Sequence, residues 1–182
     1  MSPWALNRIV SAISRGAVFG YPTDTIWGLG CHPRNPSSID RILQIKGRKA
    51  KKGLILLSSS LDYCLDYIDA REAELEKLRH PLERPTTWLV KASRDCPGWL
   101  TGQHPTVAIR ITRHPLIQTL SDSLQSPLIS TSANRSGRSN VRNRIQMQKQ
   151  FANELDIIIG GFETGGYRAS DIKFLDSGDQ IR

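Results

Sequence analysis

Leu128-Ile129-Ser130-Thr131-Ser132-Ala133-Asn134 passes within seven residues from an apolar strand into a cluster of hydroxyls and an amide. Open α/β proteins gather their ligand contacts at the carboxyl ends of strands, so this cluster is a candidate site. Ser, Thr and Asn also favour turns and caps for local reasons, and taken alone the cluster is more simply a turn. A second polar element far upstream changes that balance. Lys46-Gly47-Arg48, with Lys49, Lys51 and Lys52 behind it, sets a planar guanidinium fork beside a mobile ammonium. Together the two elements read as opposite walls of one phosphate site. Alone, the cations would only offset a helix dipole, at about 0.3–1 kcal/mol each.

Working outward, Ser2 and Pro3 are a good N-cap and first helical residue, and Leu6, Ile9, Val10 and Ile13 form one apolar stripe before Gly16. Ala17–Tyr21 reads as a strand, and Ile39, Ile42, Leu43 and Lys46 recur at helical spacing, placing Lys46 at a helix end. Gly53–Leu57, Thr86–Val90 and Val107–Ile111 are short apolar runs of strand type, while Asp62–Leu78 and Pro115–Leu124 read as helices. Arg135–Arg144 has the composition of an exposed loop, whose four arginines could also close over an anion. A helix around Met147–Leu155, strands at Asp156–Ile159 and Ile172–Leu175, and the turn Glu163-Thr164-Gly165-Gly166 complete the reading. Strands and helices mix without strict alternation, which gives an α/β or α+β fold with a mixed sheet.

The chain's 182 residues suit one domain. Twenty-five Lys and Arg against seventeen Asp and Glu give a net charge of +8, which favours anionic partners as well as solubility. Cys31, Cys64 and Cys96 are odd in number and widely spaced, so neither a disulfide framework nor a zinc ribbon is indicated. The start of the chain lacks the apolar run of a signal peptide, and no stretch approaches a membrane span of about 20 residues. A cytoplasmic, soluble protein is expected. The four His residues each adjoin a proline and show no metal spacing or triad order, and no nucleophile stands out. Tyr21-Pro22-Thr23-Asp24-Thr25 ends the first strand, and Thr23 and Thr25 alternate so that, if extended, their hydroxyls share a side. The following Gly28-Leu29-Gly30 is neither a Walker loop nor a dinucleotide fingerprint.

In order along the chain, Tyr21–Thr25, Gly28–Cys31, Lys46–Arg48, Lys52–Leu56, Thr87-Trp88, Ala108–Arg110, His114–Leu116 and Ser130–Gly137 resemble the YrdC family, and the ending resembles its short, single-domain bacterial form. Members of that family make threonylcarbamoyl-AMP from L-threonine, bicarbonate and ATP and release pyrophosphate. The resemblance implies a twisted mixed sheet with helices, one domain over 1–182 around a basic cavity. It also implies that Lys46, Arg48, Lys52, Ser132 and Asn134 bind ATP, with Lys46 and Arg48 catalytic. Thr23, Thr25, Arg110, Ser130 and Ser170 match positions near threonine, the Arg facing its carboxylate. Magnesium is expected with the nucleotide and no protein metal site is expected. The implied partners are tRNA or double-stranded RNA and the complex that transfers the threonylcarbamoyl group to tRNA, with no membrane. The chain departs from the family pattern where Lys49 replaces a proline, and where Glu83-Arg84-Pro85 replaces Pro-Gly-Pro. Two other readings remain: a non-catalytic basic module that holds RNA, and a carbamoyl-adenylate relative, which would normally be a much longer chain.

Overall fold

A helix begins at the third residue because Ser2 Oγ accepts the Ala5 N–H at 3.3 Å and Pro3, lacking an N–H, occupies the first helical position. The computed structural model describes residues 1–47, 53–80, 82–162 and 168–181. In chain order the first elements are α1 (Pro3–Ser14), β1 (Phe19–Tyr21), β2 (Gly28–Gly30), α2 (Pro36–Lys46) and β3 (Ile55–Ser58). A 3-10 helix (Asp62–Tyr67) leads to α3 (Glu72–Arg79), β4 (Thr86–Lys91), α4 (Gly98–Thr101) and β5 (Thr106–Ile111). The last are α5 (Pro115–Leu124), β6 (Leu128–Ser132), α6 (Arg144–Phe151), β7 (Ile157–Ile158) and β8 (Asp171–Phe174). The mixed α/β class expected from the sequence is what forms.

The chain divides into two compact units, Met1–Lys49 with Leu128–Ala169, and Ala50–Pro127 with Ser170–Arg182. In the first, β1 lies between antiparallel β2 and parallel β7, and β2 pairs antiparallel with β6 in the register Gly28↔Ser132 and Leu29↔Thr131. Phe19, Tyr21, Leu29, Ile39, Ile42, Met147 and Phe151 are buried around this sheet. In the second, β5 lies between parallel β3 and antiparallel β4, and β8 joins β4 in parallel with Thr87↔Ile172. Leu56, Leu57, Ile109, Leu116, Ile117 and Leu120 are among its buried apolar side chains.

Three expectations need correction. Asp62–Leu78 is not one helix: a 3-10 helix ends at Tyr67, and Ile68 is extended and bridges to Ala92, so α3 starts afresh at Glu72. Ser130–Ser132 do not follow a strand but form part of β6, paired through β2. Gly28–Gly30, to which the sequence reading gave no element, is strand β2. The helix after the arginine loop ends at Phe151 rather than Leu155. The turn Glu163–Gly166 lies outside the described residues.

Candidate functional site

α2 delivers Lys46. Asn35 caps its start by accepting the Ser38 N–H at 3.0 Å, Pro36 opens it, and Ile39, Ile42 and Ile45 bury one face. It stops because Gly47 adopts the left-handed conformation (φ 59°), which glycine reaches without a Cβ penalty. Lys46, the last helical residue, is only 3% exposed. Its ammonium donates to the Ser132 carbonyl, to the Asn134 carbonyl at 2.9 Å and to Asn134 Oδ1 at 3.2 Å, with Ser132 Oγ at 3.5 Å. Ser132 Oγ in turn donates to Asn134 Oδ1 at 2.6 Å, while Asn134 Nδ2 donates to the carbonyls of Arg135 and Arg138 at 3.1 and 2.8 Å. The two polar elements read from the sequence therefore meet. Arg48 and Lys52 lie outside the described residues.

The backbone joins the same two elements, since the Ser136 N–H donates to the Lys46 carbonyl at 2.8 Å. Such carbonyls have no partner within a helix and need one from elsewhere. That requirement was a usable signal for a residue such as Ser136, which the sequence did not single out.

The segment between β1 and β2 forms a tight hydroxyl turn. Thr23 Oγ1 donates to the Ile26 carbonyl at 2.7 Å and accepts the Thr25 N–H at 3.1 Å. Its single proton being used, Thr25 is the donor of the 3.0 Å contact between the two hydroxyls. Both side chains are buried and do share a side, but in a turn rather than an extended run. Thr23 builds the turn and Thr25 is held by it. Ser130, also buried, lies in the same unit in β6, with Gly28 packed close enough that a Cβ there would stand 3.4 Å from Ser130 Oγ.

The second unit carries Arg110 and Ser170. Arg110 is 4% exposed in β5, level with Leu57 of β3. Ser170 Oγ lies 2.8 Å from Thr87 Oγ1, and both hydroxyls are buried just before β8 and within β4. Among the described residues no group of three or more His, Cys, Asp and Glu could hold a metal ion. Burial pushes the Cys64 thiol up to about 12 and raises Cys31 further still, against a smaller opposing pull from Arg41, so neither is a thiolate at neutral pH. No helix among the described residues is long and apolar enough to cross a membrane.

Residues 11–179 match the model of the Sua5/YciO/YrdC family, described as "telomere recombination". The chain belongs to this family. Among its Sua5/YciO/YrdC relatives is a threonylcarbamoyl-AMP synthase of Pseudomonas fluorescens, 39% identical over 184 residues, with 100% of this chain and 98% of the relative covered. A threonylcarbamoyl-AMP synthase of Pseudomonas aeruginosa is 42% identical over 173 residues, covering 93% of this chain and 92% of that protein. Among solved structures, P. abyssi Sua5 complexed with L-threonine superposes with a TM-score of 0.89 at 26% identity, over 99% of this chain. This Sua5/YciO/YrdC chain spans about half of that longer protein, 53% of it.

Proposed function

We propose that this protein is a threonylcarbamoyl-AMP synthase, one YrdC-like domain that converts L-threonine, bicarbonate and ATP into threonylcarbamoyl-AMP and pyrophosphate. The observation that carries the reading is the meeting of Lys46 with Ser132 and Asn134, in a chain matched over its whole length by a curated threonylcarbamoyl-AMP synthase.

The threonine amine attacks the carbon of bicarbonate, water leaves, and a carbamate forms. A carbamate oxygen then attacks the α-phosphorus of ATP, the bond to the β-phosphate oxygen breaks, and pyrophosphate departs with the electron pair. Lys46 and Arg48 offset the charge that grows on the leaving group, the kind of electrostatic stabilisation that dominates phosphoryl chemistry. Ser132, Asn134 and Lys52 orient the nucleotide. The family resemblance assigns Thr23, Thr25, Ser130, Arg110 and Ser170 to threonine, with Arg110 offering its carboxylate a planar fork. No covalent intermediate is required. The donors around Lys46 are cationic, hydroxyl and amide groups, which suit phosphate oxygens rather than a metal cage. A magnesium ion would enter with the nucleotide, neutralising its phosphates.

The setting is cytoplasmic. The product passes to the complex that modifies tRNA, and the basic surface makes passing contact with tRNA or double-stranded RNA. The test is pyrophosphate release from ATP and bicarbonate with and without L-threonine. Strict dependence on threonine supports the reading. Salt-sensitive RNA binding with no threonine-dependent release would instead make this a binding module.

A further inference from the structure

The loop after β6 holds α2 through Arg135, which the sequence offered only as one of four loop arginines that could close over an anion. Arg135 Nη1 donates to the Ile45 carbonyl at 2.9 Å, one residue before Lys46, and Nη2 pairs with Glu154 Oε1 at 2.5 Å. Its guanidinium also lies over the Phe151 ring, 5.6 Å from the centroid. Ile45 and Lys46 are the last residues of α2, where carbonyls must find partners outside the helix. Residues 135 and 136 supply both partners, since the Ser136 N–H takes the Lys46 carbonyl. The opposite end of the clamp is also braced. Arg41, one turn earlier on α2, makes paired contacts to Asp156 at 2.8 and 3.2 Å and donates to the Glu154 carbonyl at 3.2 Å.

We infer that Arg135 is a positioning residue for Lys46: oriented by Glu154 and Phe151, it fixes the last turn of α2, and so the place of the ammonium, through the Ile45 carbonyl. The inference rests on Lys46 holding the nucleotide. A displacement of about 1 Å at a charged group can cost up to a hundredfold, so a clamp one peptide away has leverage. In this role Arg135 acts through Lys46 rather than on a substrate. Its loss therefore weakens the nucleotide interaction only as far as Lys46 was making one.

The experiment is a cycle of four folded proteins: parent, Arg135→Ala, Lys46→Ala and the double variant. Affinity for a non-hydrolysable ATP analogue is measured by calorimetry, and the KM for L-threonine is measured where turnover permits. Arg135→Ala is expected to weaken analogue binding about tenfold in the parent and less than twofold in the Lys46→Ala background, with the KM for threonine unchanged, because coupled sites are not additive. A full tenfold loss in both backgrounds, or no loss in the parent, overturns the proposal. If Lys46→Ala alone binds the analogue like the parent, the nucleotide role of Lys46 fails instead, and this inference with it. Should Arg135→Ala not fold, Arg135→Lys carries the same cycle, because an ammonium cannot span Ile45 and Glu154 while stacked on Phe151.

Discussion

Lys46→Met keeps the aliphatic stem of the residue and deletes only its ammonium, so it separates what the charge does for the fold from what it does for the reaction. In the folded chain that ammonium donates to the carbonyls of Ser132 and Asn134 and to Asn134 Oδ1. Hydrogen bonds to a charged group contribute about 1.5–3 kcal/mol each, but the variant also escapes the cost of burying a charge at a site 3% exposed. The opposing effects leave a net loss of about 2 kcal/mol. That corresponds to a fall of roughly 4–8 °C in Tm, well inside the usual stability of about 5–15 kcal/mol, so the variant stays folded at 25 °C. Turnover responds far more strongly. A unit charge about 4 Å from the developing pyrophosphate charge, at an effective dielectric near 20, is worth about 4 kcal/mol. Each 1.4 kcal/mol is about a factor of ten, so kcat for threonine-dependent pyrophosphate release should fall about a thousandfold. Initial rates at saturating threonine and bicarbonate, beside a thermal melt, check both halves. A folded variant turning over within tenfold of the parent would refute the electrostatic role.

Thr25→Val should raise the KM for L-threonine about tenfold while leaving the KM for ATP unchanged, read from steady-state pyrophosphate release. Thr23→Val strips the turn of its Ile26 and Thr25 contacts and should cost about 1–3 kcal/mol in denaturant unfolding as well as raising that KM; a selective effect on ATP would contradict the assignment. Asp156 predicts an acid limb. Burial alone would raise its pKa, but hydrogen bonds from Arg41 and the Val18 N–H, with the charge of Arg41, outweigh that and hold it below the ordinary carboxylate value of 3.8. A depressed carboxylate adds stability that is fully present above its unfolded pKa and is lost as pH falls through the folded one. Asp156→Asn should therefore destabilise at pH 7, by less than about 1 kcal/mol given the 42% exposure of both side chains, and the difference should shrink as pH falls through the depressed pKa of Asp156. Urea titrations at pH 7 and pH 3 check it.

Where local chemistry decides an element, the sequence suffices. α1 and α5 begin at Pro3 and Pro115 as read, because a proline that needs no N–H partner marks a helix start whatever the rest of the chain does. β2 was illegible as a strand because two of its three residues are glycines, which weaken strands. The reason for them is tertiary: a Cβ on Gly30 would stand 2.7 Å from the Ile129 carbonyl and 2.8 Å from the Tyr21 ring. The site shows the same division. That Lys46 ends a helix and that Ser132 and Asn134 cluster could be read directly, whereas their meeting depends on the β2–β6 register, which no local spacing encodes. Arg135 was read only as part of a basic loop, because its acceptor at Ile45 is ninety residues away in the chain.

The charge that favoured an anionic partner gains a location. The two units are of equal length, and an even spread of the +8 would give each about half. Instead, the unit holding Lys46, Ser132 and Asn134 has thirteen Lys and Arg against five Asp and Glu, and the other has twelve of each. Solubility alone has no reason to segregate charge so completely, since it is served by any surface distribution. A polyphosphate does have a reason, because several like charges on one substrate are held by a field rather than by one matched pair.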